Sequence, residues 1–244
     1  MSEFWYTPQT MRALKGETYR SFEMFSLTHL FWFAVLAIGL VWVFAVYRKY
    51  TPEKKKKAYI ILTALLLIDE VAKYIMTVAT NQWLWQFLPL HLCSIQIFVC
   101  LWHTIRPCTL NKEILYALCI PGAVLALLSP SWMPLPLANF MHLHSATVHV
   151  MLLIYPFMIL ADGFKPDIKN LWKVLAFLFA VGIPVYGINM LLKTNFLFLM
   201  RTDNNPILNL VASIFGKFYL VGLAVLLSLV CFLVYLPWVF VKKK

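Results

Sequence analysis

Charge is scarce in this chain: only 13% of its 244 residues are charged. A water-soluble domain of this length needs a much larger charged share, because most of a compact protein's surface faces water. Cysteine is sparse and scattered. Cys93, Cys100, Cys108, Cys119 and Cys231 form no CxxC pair and no zinc-like spacing, which argues against a disulfide framework or a structural metal. HxxxH and HExxH spacings are missing as well, so a metal set such as His91, His149 and Glu70 has no motif behind it, and no cofactor is expected. The lack of an internal repeat weakens an inverted-repeat transporter architecture. A nucleic-acid-binding module is not recognisable either, although the net charge is +11.

Apolar residues make up 62% of the chain, with a mean hydropathy of +0.78. That excess needs an apolar solvent, and the apolar residues fall into runs of about 20, the length of a helix that crosses hydrocarbon. The runs predict spans over 25–47, 58–80, 84–105, 112–128, 145–162, 170–192 and 216–240, after an extracytoplasmic segment over 1–24. Breaks support the division: Tyr50-Thr51-Pro52, Arg106-Pro107, Gly163-Phe164-Lys165-Pro166 and Asn204-Asn205-Pro206. The first run is long enough to be a permanent span and not a cleaved leader. The expected fold is therefore all-α, a single polytopic bundle of about seven transmembrane helices. Residues 129–143, uncharged and with three prolines, suit an interfacial or re-entrant cap.

The basic residues read as topology. With the N-terminus outside, segments 48–57, 106–112, 163–173 and 241–244 lie inside and hold 6, 2, 3 and 3 of the 21 Lys and Arg, which is 14. Outer segments hold 6 (Arg12, Lys15, Arg20, Lys193, Arg201 and Lys217), and Lys73 is intramembrane. Positive-inside asymmetry thus favours N-outside and C-inside in a cell membrane, with Lys242 to Lys244 and the first loop near anionic head groups.

An ionisable group at mid-membrane costs about 2.5–3.5 kcal/mol, so each needs a partner or a task. The second span carries Asp69, Glu70 and Lys73, spaced so that one ammonium reaches both carboxylates; the remaining negative charge calls for another partner such as a histidine. The third span brings His91, Cys93 and Gln96. The fifth brings His142, His144 and His149, and the sixth ends on Tyr186, Gly187 and Asn189 after the kink-prone Gly182-Ile183-Pro184. These residues converge at one depth in the outer half. His29 and His103, near the membrane edges, suit interfacial roles.

On a regular helix His91 and Cys93 point about 200° apart, so His91 is a poor base for that thiol unless Pro89 distorts the turn. A histidine from another helix, best His149, is the better partner, and such a pair raises nucleophilicity. Cys93 also fits the plainer reading of a small core hydrophobe, and the Asp69/Glu70/Lys73 cluster that of a self-neutralised structural element.

The segment Trp85-Gln86-Phe87-Leu88-Pro89-Leu90-His91-Leu92-Cys93 resembles the PLHLC signature of the bacterial YwaF-like integral membrane proteins. Residues 189–199, from Asn189 through Lys193-Thr194-Asn195-Phe196 to Leu199, are similar to that family's N…TNYMFL stretch. Pro206 and Phe215-Gly216-Lys217-Phe218-Tyr219 resemble a weaker form of its P…LGPWPWY pattern. Ser94 departs from a position that is commonly acidic, and the Trp-Pro-Trp element is lost. The family is related to a eukaryotic transmembrane acyltransferase that acts on phospholipids through a cysteine. The resemblance implies Cys93 as acyl-accepting nucleophile, His149 as base, His91 and Glu70 as orienting groups, and Asn189 or Asn195 at an oxyanion or head group.

Two function classes follow. One is a thiol-dependent lipid acyltransferase or acyl-ester hydrolase with membrane lipids as substrate, in which Cys93, His149 and His91 carry the chemistry. The other is a transporter or ligand-binding bundle that uses Asp69, Glu70, Lys73, Gln96, Asn189 and Asn195 to grip a polar ligand, with Pro121-Gly122 and Pro184 as gating kinks. A third, accessory protein would use the cluster only for helix packing.

Overall fold

The computed structural model describes residues 2–203 and 205–241; Lys242 to Lys244 and Asn204, invoked above for topology and for a break, lie outside them. All regular structure among the described residues is helical. The long helices are α2 (Leu27–Ala45), α3 (Pro52–Ala79), α4 (Leu92–Ile105), α7 (Phe140–Ala161), α8 (Leu171–Leu192) and α10 (Tyr219–Val241). The shorter α1 (Pro8–Lys15), α5 (Thr109–Ile114), α6 (Ile120–Leu128) and α9 (Pro206–Phe215) complete the set.

Six helical stretches are long and apolar enough to cross a membrane: Leu27–Lys49, Trp85–Ile105, Thr109–Leu128, Phe140–Ala161, Ile168–Leu192 and Pro206–Phe240. α3 is set apart by Asp69, Glu70 and Lys73. It is nevertheless 28 residues long, about 42 Å at helical rise, and packs against α4 and α7 inside the bundle. Its start is well specified: Thr51 caps the helix by accepting from the Lys54 N–H at 3.4 Å, and Pro52 occupies the first turn, where its missing N–H costs nothing.

α7 is the central post, packed on α2, α3, α4 and α6. The outer faces of the surrounding helices carry exposed Ile38, Val41, Ile61, Ile68, Leu191 and Val225, as a lipid-facing surface requires. Gly39 lets α2 come close to α7, since a Cβ there would collide with Ile154. At the predicted inner end, Asp162 ties three elements together. Its carboxylate accepts from Tyr47 Oη at 2.8 Å and Tyr59 Oη at 2.7 Å, and pairs with Lys55 Nζ at 2.8 Å.

Two expectations need correction. The third span is not one helix from 84 to 105. A 3₁₀ turn over Trp85–Phe87 is followed by a break, and α4 begins only at Leu92, with His91 as an extended N-cap (φ −73°, ψ 153°). Pro89 is the cause, since it disfavours helical backbone at the residue before it and lacks an N–H. The fourth span starts at Thr109 and contains a π-helical segment over Leu115–Cys119. Pro121 cannot donate to the Ala117 carbonyl, and the Cys231 thiol of α10 bonds there instead, at 3.7 Å. Tyr116 in the same segment donates to the Val234 carbonyl at 2.6 Å and accepts from Trp238 Nε1 at 2.9 Å. The π segment is thus the dock for α10.

The outer end is capped. Asn139 starts α7 by accepting from the His142 N–H at 3.1 Å and donates to the Glu3 and Tyr6 carbonyls at 2.7 and 3.0 Å. Gln82 Oε1, just past α3, accepts from the Thr7 N–H at 2.9 Å and Thr10 Oγ1 at 2.6 Å. Ser21 N–H donates to the Met133 carbonyl at 2.8 Å. The N-terminal segment is therefore folded down on the 129–139 cap.

Candidate functional site

The site lies between α3, the start of α4, α7 and the loop after α8. On α3, Glu70 and Lys73 are buried, 4% and 6% exposed. Glu70 Oε1 accepts from Lys73 Nζ at 2.6 Å and from Tyr74 Oη at 3.0 Å. Lys73 therefore does not bridge both carboxylates. Asp69 turns to another face, where its Oδ2 pairs with His144 Nδ1 at 2.8 Å. The leftover carboxylate does find a histidine, but outside the main cluster.

The break before α4 places His91 and Cys93 on different local backbones, so the 200° separation of a regular helix does not apply to them. His91 is influenced electrostatically by the Gln86 main chain and by Lys73, Glu70 and Asp203. Its ring meets Phe196 edge-on, with centroids 4.9 Å apart. Cys93, half-buried in the first turn of α4, and the His149 imidazole interact electrostatically, and Lys73 and Glu70 act on the thiolate charge as well.

The tautomer of His149 follows from its other contact. Nδ1 lies 2.6 Å from the Ser145 carbonyl. A carbonyl only accepts, so the proton is on Nδ1 and Nε2 keeps a lone pair for the thiol. Trp132 stacks on this ring, centroids 5.3 Å apart and planes within 21°. Trp132 is 3% exposed and comes from the uncharged 129–143 segment, whose last residues, from Phe140, already belong to α7. Composition marked that segment as a cap, but its pairing with His149 is a tertiary contact that no spacing reveals. Tyr74 was missed for a similar reason; its i+4 relation to Glu70 was the available signal.

Gln96, 1% exposed, sits one turn after Cys93, and its Oε1 accepts from the Cys119 thiol at 3.4 Å. Asn189 and Asn195 are engaged within the loop. Asn189 Oδ1 accepts from Thr194 Oγ1 at 2.9 Å and the Phe196 N–H at 2.8 Å, while Nδ2 donates to the Phe196 carbonyl at 3.0 Å. Asn195 Oδ1 accepts from the Met200 and Arg201 N–H groups at 2.9 and 3.1 Å, and Nδ2 donates to Asp203 Oδ2 at 2.7 Å. These amides hold a strained turn, in which Lys193, Leu197, Phe198 and Asp203 have φ of 55°, 58°, 55° and 46°, a costly region for side-chain-bearing residues. The turn in turn seats Phe196 on His91.

Other expected members do not join. His142 is occupied by Trp32 Nε1 at 2.9 Å and the Leu135 carbonyl at 3.0 Å. Tyr186 is exposed on α8. His29 clips α2 to the end of α6, accepting from the Phe25 N–H at 2.8 Å and bonding the Leu127 carbonyl at 2.6 Å. Among the described residues no three His, Cys, Asp or Glu side chains form a group able to hold a metal.

A family model described as the TMEM164 family matches residues 24–235, a range that contains every one of these site residues. No curated protein and no solved structure matches the chain.

Proposed function

Because the chain belongs to the TMEM164 family of transmembrane proteins, we propose that this multi-pass membrane protein is a lipid-acyl enzyme, a transferase or hydrolase of the YwaF-like type, that works through Cys93. One observation carries the reading. A thiol and an imidazole interact inside the bundle, and one imidazole nitrogen is fixed by the Ser145 carbonyl at 2.6 Å, which leaves the other as a base toward sulfur.

In this reading His149 takes the Cys93 proton while sulfur attacks the carbonyl carbon of a phospholipid acyl ester. The C–O ester bond breaks, the lysolipid oxygen leaves with the proton from His149, and the acyl group stays on Cys93 as a thioester. A second lysolipid or water, deprotonated by His149, then takes the acyl group. Glu70, Lys73 and Tyr74 supply a fixed polar wall, His91 borders it, and Asn189 and Asn195 position the loop that seats Phe196. Asp69, paired with His144, is placed beside this set.

The test is intact-mass measurement after incubation with phospholipid vesicles. The expected result is a hydroxylamine-sensitive acyl adduct on the wild-type chain that disappears in Cys93→Ala. The same adduct on Cys93→Ser would remove Cys93 as nucleophile. Saturable uptake of a polar solute into proteoliposomes that survives Cys93→Ala but fails in Glu70→Gln would establish the transporter alternative instead.

A further inference from the structure

Among the described residues, three buried side-chain polar atoms lack a hydrogen-bond partner: Ser26 Oγ, Gln96 Nε2 and Trp132 Nε1. Ser26 is the N-cap of α2. The other two flank the Cys93–His149 pair. Trp132 lies flat on His149, and Gln96 follows Cys93 by three residues, on the same face of α4. Leaving a buried donor unpaired is unfavourable, and such orphans in a native structure call for an explanation.

Both atoms are N–H donors, and each is held in place by the rest of its side chain. Gln96 is anchored by its own oxygen, which accepts from the Cys119 thiol at 3.4 Å, so its amide nitrogen is left unspent. The Trp132 indole is anchored by stacking, which fixes the ring and says nothing to its N–H. Two immobilised donors without acceptors, one a turn along α4 from Cys93 and one on the indole stacked against the base, suit a ligand oxygen that gains negative charge.

We propose that Trp132 Nε1 and Gln96 Nε2 are the oxyanion donors of this site, serving the oxygen of a ligand carbonyl group. The proposal rests on Cys93 acting as nucleophile. As sulfur bonds to the carbonyl carbon, the C=O π electrons move to oxygen, the Cys93 proton rests on His149, and the new oxyanion accepts from the two N–H groups. On collapse the electron pair returns and the ester oxygen departs with the proton from His149.

The probe is a long-chain alkyl trifluoromethyl ketone, which adds a thiol reversibly to give the same tetrahedral, oxygen-centred anion without a leaving group. Binding to the full chain in lipid nanodiscs is followed by ¹⁹F NMR, beside alkylation of Cys93 by iodoacetamide, which develops no oxyanion. Trp132→Phe and Gln96→Leu are each expected to weaken ketone binding at least about tenfold while alkylation stays within about twofold. Replacing Trp132 by benzothienylalanine, which keeps the ring and exchanges the N–H for sulfur, is expected to do the same with less disturbance to packing. Ketone affinity unchanged in these variants, or falling in step with alkylation, overturns the assignment, as does the absence of a Cys93 hemithioketal in the wild type. If the ketone behaves as expected but phospholipid leaves no adduct, the lipid-ester reading falls while the donor assignment stands.

Discussion

Asn189 is bonded to both ends of the Phe196 peptide unit: its Oδ1 accepts from the Phe196 N–H at 2.8 Å and its Nδ2 donates to the Phe196 carbonyl at 3.0 Å. The same ring packs edge-on against His91. A side chain at the end of α8 therefore fixes what sits beside the PLHLC segment, through a turn whose positive φ values oppose it. Asn189→Ala removes these bonds and should release the turn first. Losing about 1–3 kcal/mol of local stability predicts trypsin cleavage after Lys193 and Arg201 about 5- to 150-fold faster than in the wild type. Timed digestion in nanodiscs, read by mass spectrometry, measures this; an unchanged rate would mean the turn holds without Asn189.

His149→Ala is expected to slow alkylation of Cys93 by iodoacetamide at neutral pH about a hundredfold, because the thiol loses its proton acceptor. Ser145→Ala should leave the rate within about twofold, since the group that orients His149 is a main-chain carbonyl. Time courses of adduct formation by intact mass separate the two. A large effect of Ser145→Ala would transfer the orienting role to its hydroxyl.

At Gly39 the bundle has no room for a branched side chain. Gly39→Leu should destabilise the α2–α7 contact by about 1–3 kcal/mol, and Ile154→Ala in the same chain should restore part of that loss. A double-mutant cycle on thermal unfolding in detergent gives the coupling. Purely additive effects would show that Ile154 is not the obstruction.

Orientation is open to direct labelling. In a Cys108→Ser background, a cysteine placed at Glu17 should react in intact cells with a membrane-impermeant maleimide, and one placed at Lys56 should react only after permeabilisation. The reverse pattern would invert the topology inferred from the 14-to-6 distribution of basic residues.

Most of the fold was legible because lipid imposes a simple rule on composition. Apolar runs located the long helices, but α3 starts at Pro52 and not at 58, because the lysines over 54–57 extend the helix without adding apolar character. Local exceptions were harder. The break at Leu88–His91 was signalled by Pro89, yet its consequence, that His91 leaves the helix, required the backbone. The π segment at Leu115–Cys119 depends on what α10 offers to Ala117 and Tyr116, which no window around residue 117 contains. His149 is the partner that regular helical spacing favours for Cys93, but that spacing is not kept at His91, which sits outside α4 as an extended N-cap. The division of labour between Glu70 and Asp69 was not legible, because spacing along one helix cannot show that His144 waits on its neighbour.

The N-terminal cap sets an order of events in biosynthesis. Glu3 and Asn139 are bonded across 136 positions of sequence, so residues 3–10 leave the ribosome long before their partner on the outer end of α7 exists. Until that helix is inserted, the apolar underside of the early segment has nothing to rest on, and the cap segment bearing Trp132 lacks the cover it receives from Ser21 at Met133. Closure over the Cys93–His149 site is therefore a late step, and damage to the Asn139 clasp should appear first as a defect of maturation in the membrane.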